Sequence, residues 1–222
     1  MNAAARRLFY WGMPMLQKLA GLLARILATV CRKPAPLPPS SAPPPAPPKP
    51  LAGAARWLSF SARELGVKET PGPRSSPRVI EYRRIAGCRL EGDDGSVPWC
   101  RIYVCAMFKL AGLPYRADWM ARSVERDPYF VRLPGPALGA VCSFWRGSRA
   151  GGLGHTGFYR GETADKVLVE GGNESDAVRR AFYPKNGVGM GLVGYYWPKD
   201  VSLPAIGAIE VDDDGDPLAS AA

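Results

Sequence analysis

Apolar and polar residues change rhythm twice along this chain. Between residues 6 and 33, apolar positions are broken by sparse positive charge. Lys18, Arg25 and Arg32 recur every seven residues, and Leu16, Leu19, Leu22, Leu23, Ile26, Leu27 and Val30 fill much of the rest. A helix would bring the three cations close to one face, so the spacing predicts a basic amphipathic helix over 1–33. The uncharged run from Leu8 to Gln17 is too short to cross a bilayer, and Pro14 interrupts it. Such a segment fits a helix lying on an anionic membrane surface. Arg6-Arg7 ahead of an apolar run also fits an export signal, and an unstructured tail is the third option. Residues 34–50 then hold ten prolines in 17 positions. This composition favours polyproline II, a semi-rigid spacer of roughly 50 Å at about 3.1 Å per residue.

From residue 51 the pattern becomes that of a globular body. Helices are predicted over Ala54–Leu65, stopping at Gly66, over Pro77–Gly87, with proline at its start, and over the unbroken apolar run Cys100–Leu110. A short helix is expected near Trp119–Val124. After Pro136 the periodicity shortens to that of strands: Ala140–Trp145, Thr156–Tyr159, Lys166–Val169, Ala177–Tyr183 and Leu192–Trp197. Helices first and strands after them predict an α+β domain, with N-terminal helices packed on an antiparallel sheet. The expected domain covers 51–200, and 201–222 reads as an acidic C-terminal tail.

Charge sharpens this division. The chain of 222 residues has a net charge of +9, but residues 1–50 carry seven Lys/Arg and no acid. The remainder holds 22 basic and 20 acidic residues, too balanced for nucleic acid to be its main partner. Five cysteines cannot all pair within one chain, and with a single histidine they lack the spacing of a zinc site. Glu91-Gly92-Asp93-Asp94-Gly95 and Asp212-Asp213-Asp214-Gly215-Asp216 do not have the spacing of an EF-hand loop and read as solvated loops. No metal or other cofactor is expected.

The chemistry concentrates on three segments. Cys100 begins an apolar helix after Pro98-Trp99, where the helix N-terminus favours a thiolate. His155 is the one histidine in the chain, set in Gly154-His155-Thr156-Gly157, and is therefore the one imidazole for proton transfer. Asn173 follows Gly171-Gly172 after the next strand and is positioned to orient the ring; Glu170 is the alternative orienter. Arg101, next to the nucleophile, either steers an anionic substrate or points to solvent, with solvent the expected case.

These segments, in order and spacing, resemble a known group. Glu64-Leu65-Gly66-Val67-Lys68-Glu69-Thr70-Pro71-Gly72, Pro98-Trp99-Cys100, Phe144-Trp145-Arg146-Gly147, Gly154-His155-Thr156-Gly157-Phe158-Tyr159 and Gly171-Gly172-Asn173-Glu174-Ser175 look like a phage and bacterial group of papain-like peptidoglycan hydrolases. That group is related to the CHAP (cysteine, histidine-dependent amidohydrolase/peptidase) and NlpC-type families. The resemblance covers roughly residues 55–199. It implies a papain-like fold and cleavage of amide bonds in cell-wall peptide, as in endolysins and other bacteriolytic enzymes. It also implies Cys100 as nucleophile, His155 as base and Asn173 as third member, with Trp99 and Trp145 expected at the substrate. One departure is Arg101, where many relatives have a small apolar residue. A monomer, secreted, periplasmic or directed to the cell wall, is expected, with peptidoglycan as partner and residues 1–33 as a possible membrane attachment. Two other readings stay open: a catalytically silent wall- or membrane-binding module, and an exported thiol acyltransferase or deamidase toxin.

Overall fold

The computed structural model describes residues 55–114 and 118–218. The expected amphipathic helix of 1–33 and the Pro-rich spacer of 34–50 lie outside the described residues. Among the described residues three helices come first: α1 (Trp57–Ser61), α2 (Pro77–Ala86) and α3 (Cys100–Leu110), followed by a 3₁₀ turn at Ser123–Glu125. The strands are β1 (Phe130–Arg132), β2 (Val141–Arg146), β3 (Gly154–Glu162), β4 (Lys166–Gly171), β5 (Arg179–Pro184) and β6 (Met190–Pro198). They form one antiparallel sheet in the order β1-β6-β2-β3-β4-β5, so the chain is α+β. No helix among the described residues is long and apolar enough to cross a membrane.

Helix α3 is the centre of the packing. Every residue from Cys100 to Phe108 is buried, as expected of a helix that is apolar all round. It packs against β3 and β4, and it also contacts α1 and α2. Helix α2 starts with Pro77 and ends at Gly87, whose φ of 72° lets the Gly87 and Cys88 amides turn back to the Arg84 and Arg83 carbonyls. Helix α1 is shorter than its apolar pattern predicts. After Ser61 the chain turns, and Gly66 and Lys68 pair with the segment leading into β5. This cross-chain pairing wins over local helix propensity.

Alternation along the strands gives the sheet two apolar faces. On one, Trp57 lies 4.9 Å from both Phe108 and Trp197, and Phe158 lies 5.7 Å from Phe108. Truncating Phe158 to alanine would cost about 3–5 kcal/mol by leaving a cavity there. On the other face, Tyr159 meets Tyr195 at 5.5 Å and Phe144 meets Tyr183 at 5.0 Å. Strand β5 also contacts β6, four places away in the sheet, so the sheet curls around this second cluster.

Two segments depart from the pattern-based expectation. Strand β1 lies between Pro128 and Pro134 and pairs only with β6, an edge position that tolerates such flanks. Residues 201–218 are not a free tail. Glu210 pairs with Glu162, the Ile209 amide donates to the Tyr159 hydroxyl at 3.0 Å, and Val211 is buried over Gly161. Ile209 and Val211 supply the apolar alternation that holds the segment, while its acidic turn is organised by Asp212 Oδ1, which accepts from the Asp214 and Asp216 amides.

Candidate active site

Cys100 is the first residue of α3, and the backbone N–H of Arg101 points at its sulfur. The unpaired amides of a helix start stabilise negative charge there. The helix is held in place by its own burial, by a hydrogen bond of 2.9 Å between the Tyr103 and Ser61 hydroxyls, and by Trp99 just before it. Trp99 is wholly buried against Tyr82 and Tyr103 and donates its indole N–H to Glu69 at 2.5 Å. It therefore anchors the helix start from within the core and does not line the cleft where substrate contact was expected of it.

His155 stands near the start of β3, opposite Phe144 of β2. Its glycine neighbours are required by packing. A Cβ on Gly154 would lie 2.1 Å from the Phe144 carbonyl oxygen, and one on Gly157 would lie 2.4 Å from Val169 Cγ1. The ring is 5% exposed and hydrogen-bonds the Cys100 thiol. Its Nε2 lies 2.6 Å from Oε1 of Glu174, which leaves Nδ1 for the thiol.

Glu174 is thus the partner of the imidazole, in the place where Asn173 or Glu170 was expected. The loop between β4 and β5 explains the choice. Asn173, Ser175 and Asp176 have φ of 59°, 50° and 63°, a left-handed run that turns Glu174 inward and leaves Asn173 lining the cleft. Left-handed non-glycine residues are costly and need support. The Glu174 amide donates to the Ala177 carbonyl at 2.9 Å, and Arg179 donates to the Glu174 carbonyl at 2.8 Å and to the Ser175 hydroxyl. Glu170 points elsewhere, to Arg180 at 3.0 Å and Arg160 at 3.6 Å. Tyr183 of β5 completes the array. Its hydroxyl donates to Glu174 Oε2, and its ring stacks on His155 with centroids 4.8 Å apart and planes 14° apart. Neither Glu174 nor Tyr183 had a distinguishing signal in the sequence. Glu174 sits in a polar Asn-Glu-Ser-Asp turn that reads as solvated, and Tyr183 is one of nine tyrosines.

The electrostatics follow from this stack. Burial pushes the Cys100 thiol up, but the charge of His155, its hydrogen bond and the Arg101 amide outweigh that, and the thiol falls below its ordinary value. Burial pushes His155 down, and the Glu174 carboxylate and Cys100 more than reverse it, to about 10. The two shifts describe one coupled pair, thiolate and imidazolium, held by a buried carboxylate. Such an array can attack a carbonyl and return a proton to a leaving group.

A cleft of about 310 Å³ opens over the pair. It is lined by Pro98, Trp119, Met120, Arg146, Leu153 and Asn173 among others. Trp145 is not part of it; its indole covers Gly191 on β6, and the neighbouring Arg146 takes the cleft position. Arg101, expected in solvent, is fully buried, donating to the Ser123 hydroxyl at 3.2 Å and lying over the Phe130 ring. The acidic loop before Cys100 has a structural use. Asp94 is buried and its Oδ2 accepts from the Ser76 and Thr70 amides. Among the described residues no group of three or more His, Cys, Asp or Glu is placed to hold a metal ion. No protein-family model, curated protein or solved structure matches the chain.

Proposed function

We propose that this chain is a thiol-dependent peptidoglycan hydrolase with a papain-like fold, cleaving amide bonds of the wall peptide. The observation that carries the reading is the Cys100–His155–Glu174 array at a helix N-terminus beneath an open cleft. The Cys100 thiolate attacks the amide carbonyl, and the oxyanion faces the amides of the first turn of α3. As the C–N bond breaks, the His155 imidazolium protonates the departing amine. Water, deprotonated by His155, then attacks the thioester and restores the thiol and the free carboxylic acid. Glu174 holds the ring and balances its charge throughout, with Tyr183 fixing both.

A substrate in the cell wall calls for a protein that is secreted, periplasmic or directed to the wall. The seven cations of residues 1–50 suit attachment to anionic lipid, each worth on the order of 1 kcal/mol near such a surface. Co-sedimentation with anionic vesicles should therefore weaken as salt rises.

The deciding experiment incubates purified peptidoglycan with the full chain and with Cys100→Ala, and weighs the released fragments by mass spectrometry. The expected result is new amino and carboxyl ends with the native chain, and at least about 10⁴-fold less with the folded variant. Release undiminished in Cys100→Ala overturns the mechanism. No release by either protein overturns the hydrolase reading and favours a silent binding module.

A further inference from the structure

The cleft over Cys100 has a charge pattern of its own. Among the described side chains that line it, Arg146 is the one cation outside the Cys100–His155 thiolate–imidazolium pair, and none is a carboxylate. The Glu174 carboxylate lies below the ring with no exposed surface, paired to His155 and to the Tyr183 hydroxyl. Arg146 is the last residue of β2, with its amide fixed to the Leu153 carbonyl at 3.0 Å and its side chain exposed. Among the described residues it makes no ion pair. Arg78, Arg84, Arg122, Arg160 and Arg180 each have a carboxylate within 4 Å. Apart from Asn173, the remaining wall is apolar and open: Trp119, Met120 and Leu153 are 45%, 43% and 67% exposed.

We infer that the cleft selects an acyl donor carrying a free carboxylate beside the scissile amide, read by Arg146, with an aliphatic segment against Trp119, Met120 and Leu153. A guanidinium offers a carboxylate two parallel donors, so it distinguishes an acid from the corresponding carboxamide by charge and by geometry. A cation without a counter-ion at the mouth of a cleft also raises the local concentration of anionic ligands. The word scissile rests on the hydrolase reading above; the charge preference of the cleft does not.

The test therefore uses a reaction that needs no turnover. Iodoacetate and iodoacetamide both form an S–C bond with the Cys100 thiolate and release iodide, and they differ by the charge of one small group. Alkylation of the full chain is followed at Cys100 by peptide mass spectrometry, at low salt and a single pH. Arg146→Gln should lower the iodoacetate-to-iodoacetamide rate ratio about fivefold, the scale of one nearby charge in a partly solvated site. Arg146→Lys should keep most of the ratio. Lys166→Gln, which removes an exposed charge at the far end of β4, should leave it unchanged. A second arm compares peptidoglycan with free and with chemically amidated stem carboxylates. Amidation should slow the native chain several-fold more than Arg146→Gln. A ratio that does not move in Arg146→Gln, or that falls equally in Lys166→Gln, overturns the inference even if peptidoglycan is cleaved. A ratio that falls while peptidoglycan stays intact upholds the anion-reading cleft and removes the hydrolase reading alone.

Discussion

Glu170 and Glu174 are both buried carboxylates, one at the end of β4 and one in the loop that follows it. Their surroundings give them opposite characters. Glu170 faces Arg180 and Arg160, whose guanidinium groups never lose their charge. Glu174 faces His155 and the Tyr183 hydroxyl, and His155 exchanges a proton with Cys100. A carboxylate between arginines fixes structure. A carboxylate under an imidazole sets when that ring is charged. Burial alone does not tell the two apart; the partner does.

The largest effect expected from this contrast is catalytic. Glu174→Ala should lower kcat on peptidoglycan by about 10⁴, the scale of losing the orienting acid of a triad. Glu170→Ala should leave kcat within a few-fold. Its cost should appear in thermal or denaturant unfolding, at about 1–2 kcal/mol, because the two arginines it abandons can reach water. Equal losses of kcat in the two variants would erase the distinction drawn here.

The next effect is on pH dependence. In the native chain, Cys100 alkylation by iodoacetate, whose carboxylate the imidazolium attracts, should hold a plateau whose upper limit lies near pH 10, where His155 loses its proton. Glu174→Gln removes the negative charge that raises His155, so that limit should move down toward the ordinary imidazole value of 6.5. The same shift has a stability sign. A histidine raised from 6.5 to about 10 on folding contributes fully below 6.5, and the contribution is lost as pH rises through about 10. The stability gap between native and Glu174→Gln should therefore be widest at neutral or lower pH and close above pH 10. A gap that widens with rising pH would contradict the coupling.

Tyr183 offers a finer cut. Tyr183→Phe keeps the ring on His155 and removes the hydrogen bond to Glu174. A fall in kcat of about tenfold, with unfolding changed by about 1 kcal/mol, is expected for one lost donor to a charged group. Tyr183→Ala, which also removes the stack, should fall further. If phenylalanine and alanine behave alike, the hydroxyl is the whole contribution and the stacking is incidental.

The α+β fold and the Cys100–His155 pair were legible where residue type and local rhythm decide the structure. Helix α3 begins and ends where its apolar run does, because every side of it is buried. Five strands were visible by alternation, while β1, with three residues between prolines, was not. Cys100 stood out by its helix start and His155 by being alone. The orienting group was hidden because it depends on backbone angles that residue type specifies weakly. A left-handed run at Asn173, Ser175 and Asp176 decides which of several adjacent polar side chains faces inward. Trp99 misled because aromatic residues beside a nucleophile suit both a substrate wall and a core, and here Gly172 and Tyr103 enclose it.

The smallest expected effect belongs to Asn173, and it needs a substitution that respects its backbone. Alanine at φ 59° adds strain of its own, on the order of 1 kcal/mol, and would confuse loss of the amide with distortion of the loop. Asn173→Gly removes the side chain and relaxes the left-handed turn. Because Asn173 lines the cleft without bonding His155, kcat should change by less than about threefold, and any loss should fall mainly on KM. The upper limit of the alkylation plateau should stay near pH 10, since the charge that sets it is carried by Glu174. The two readings of this loop then separate cleanly. An orienting amide would make Asn173→Gly resemble Glu174→Ala in kcat, and a cleft residue makes it resemble the native chain with weaker binding.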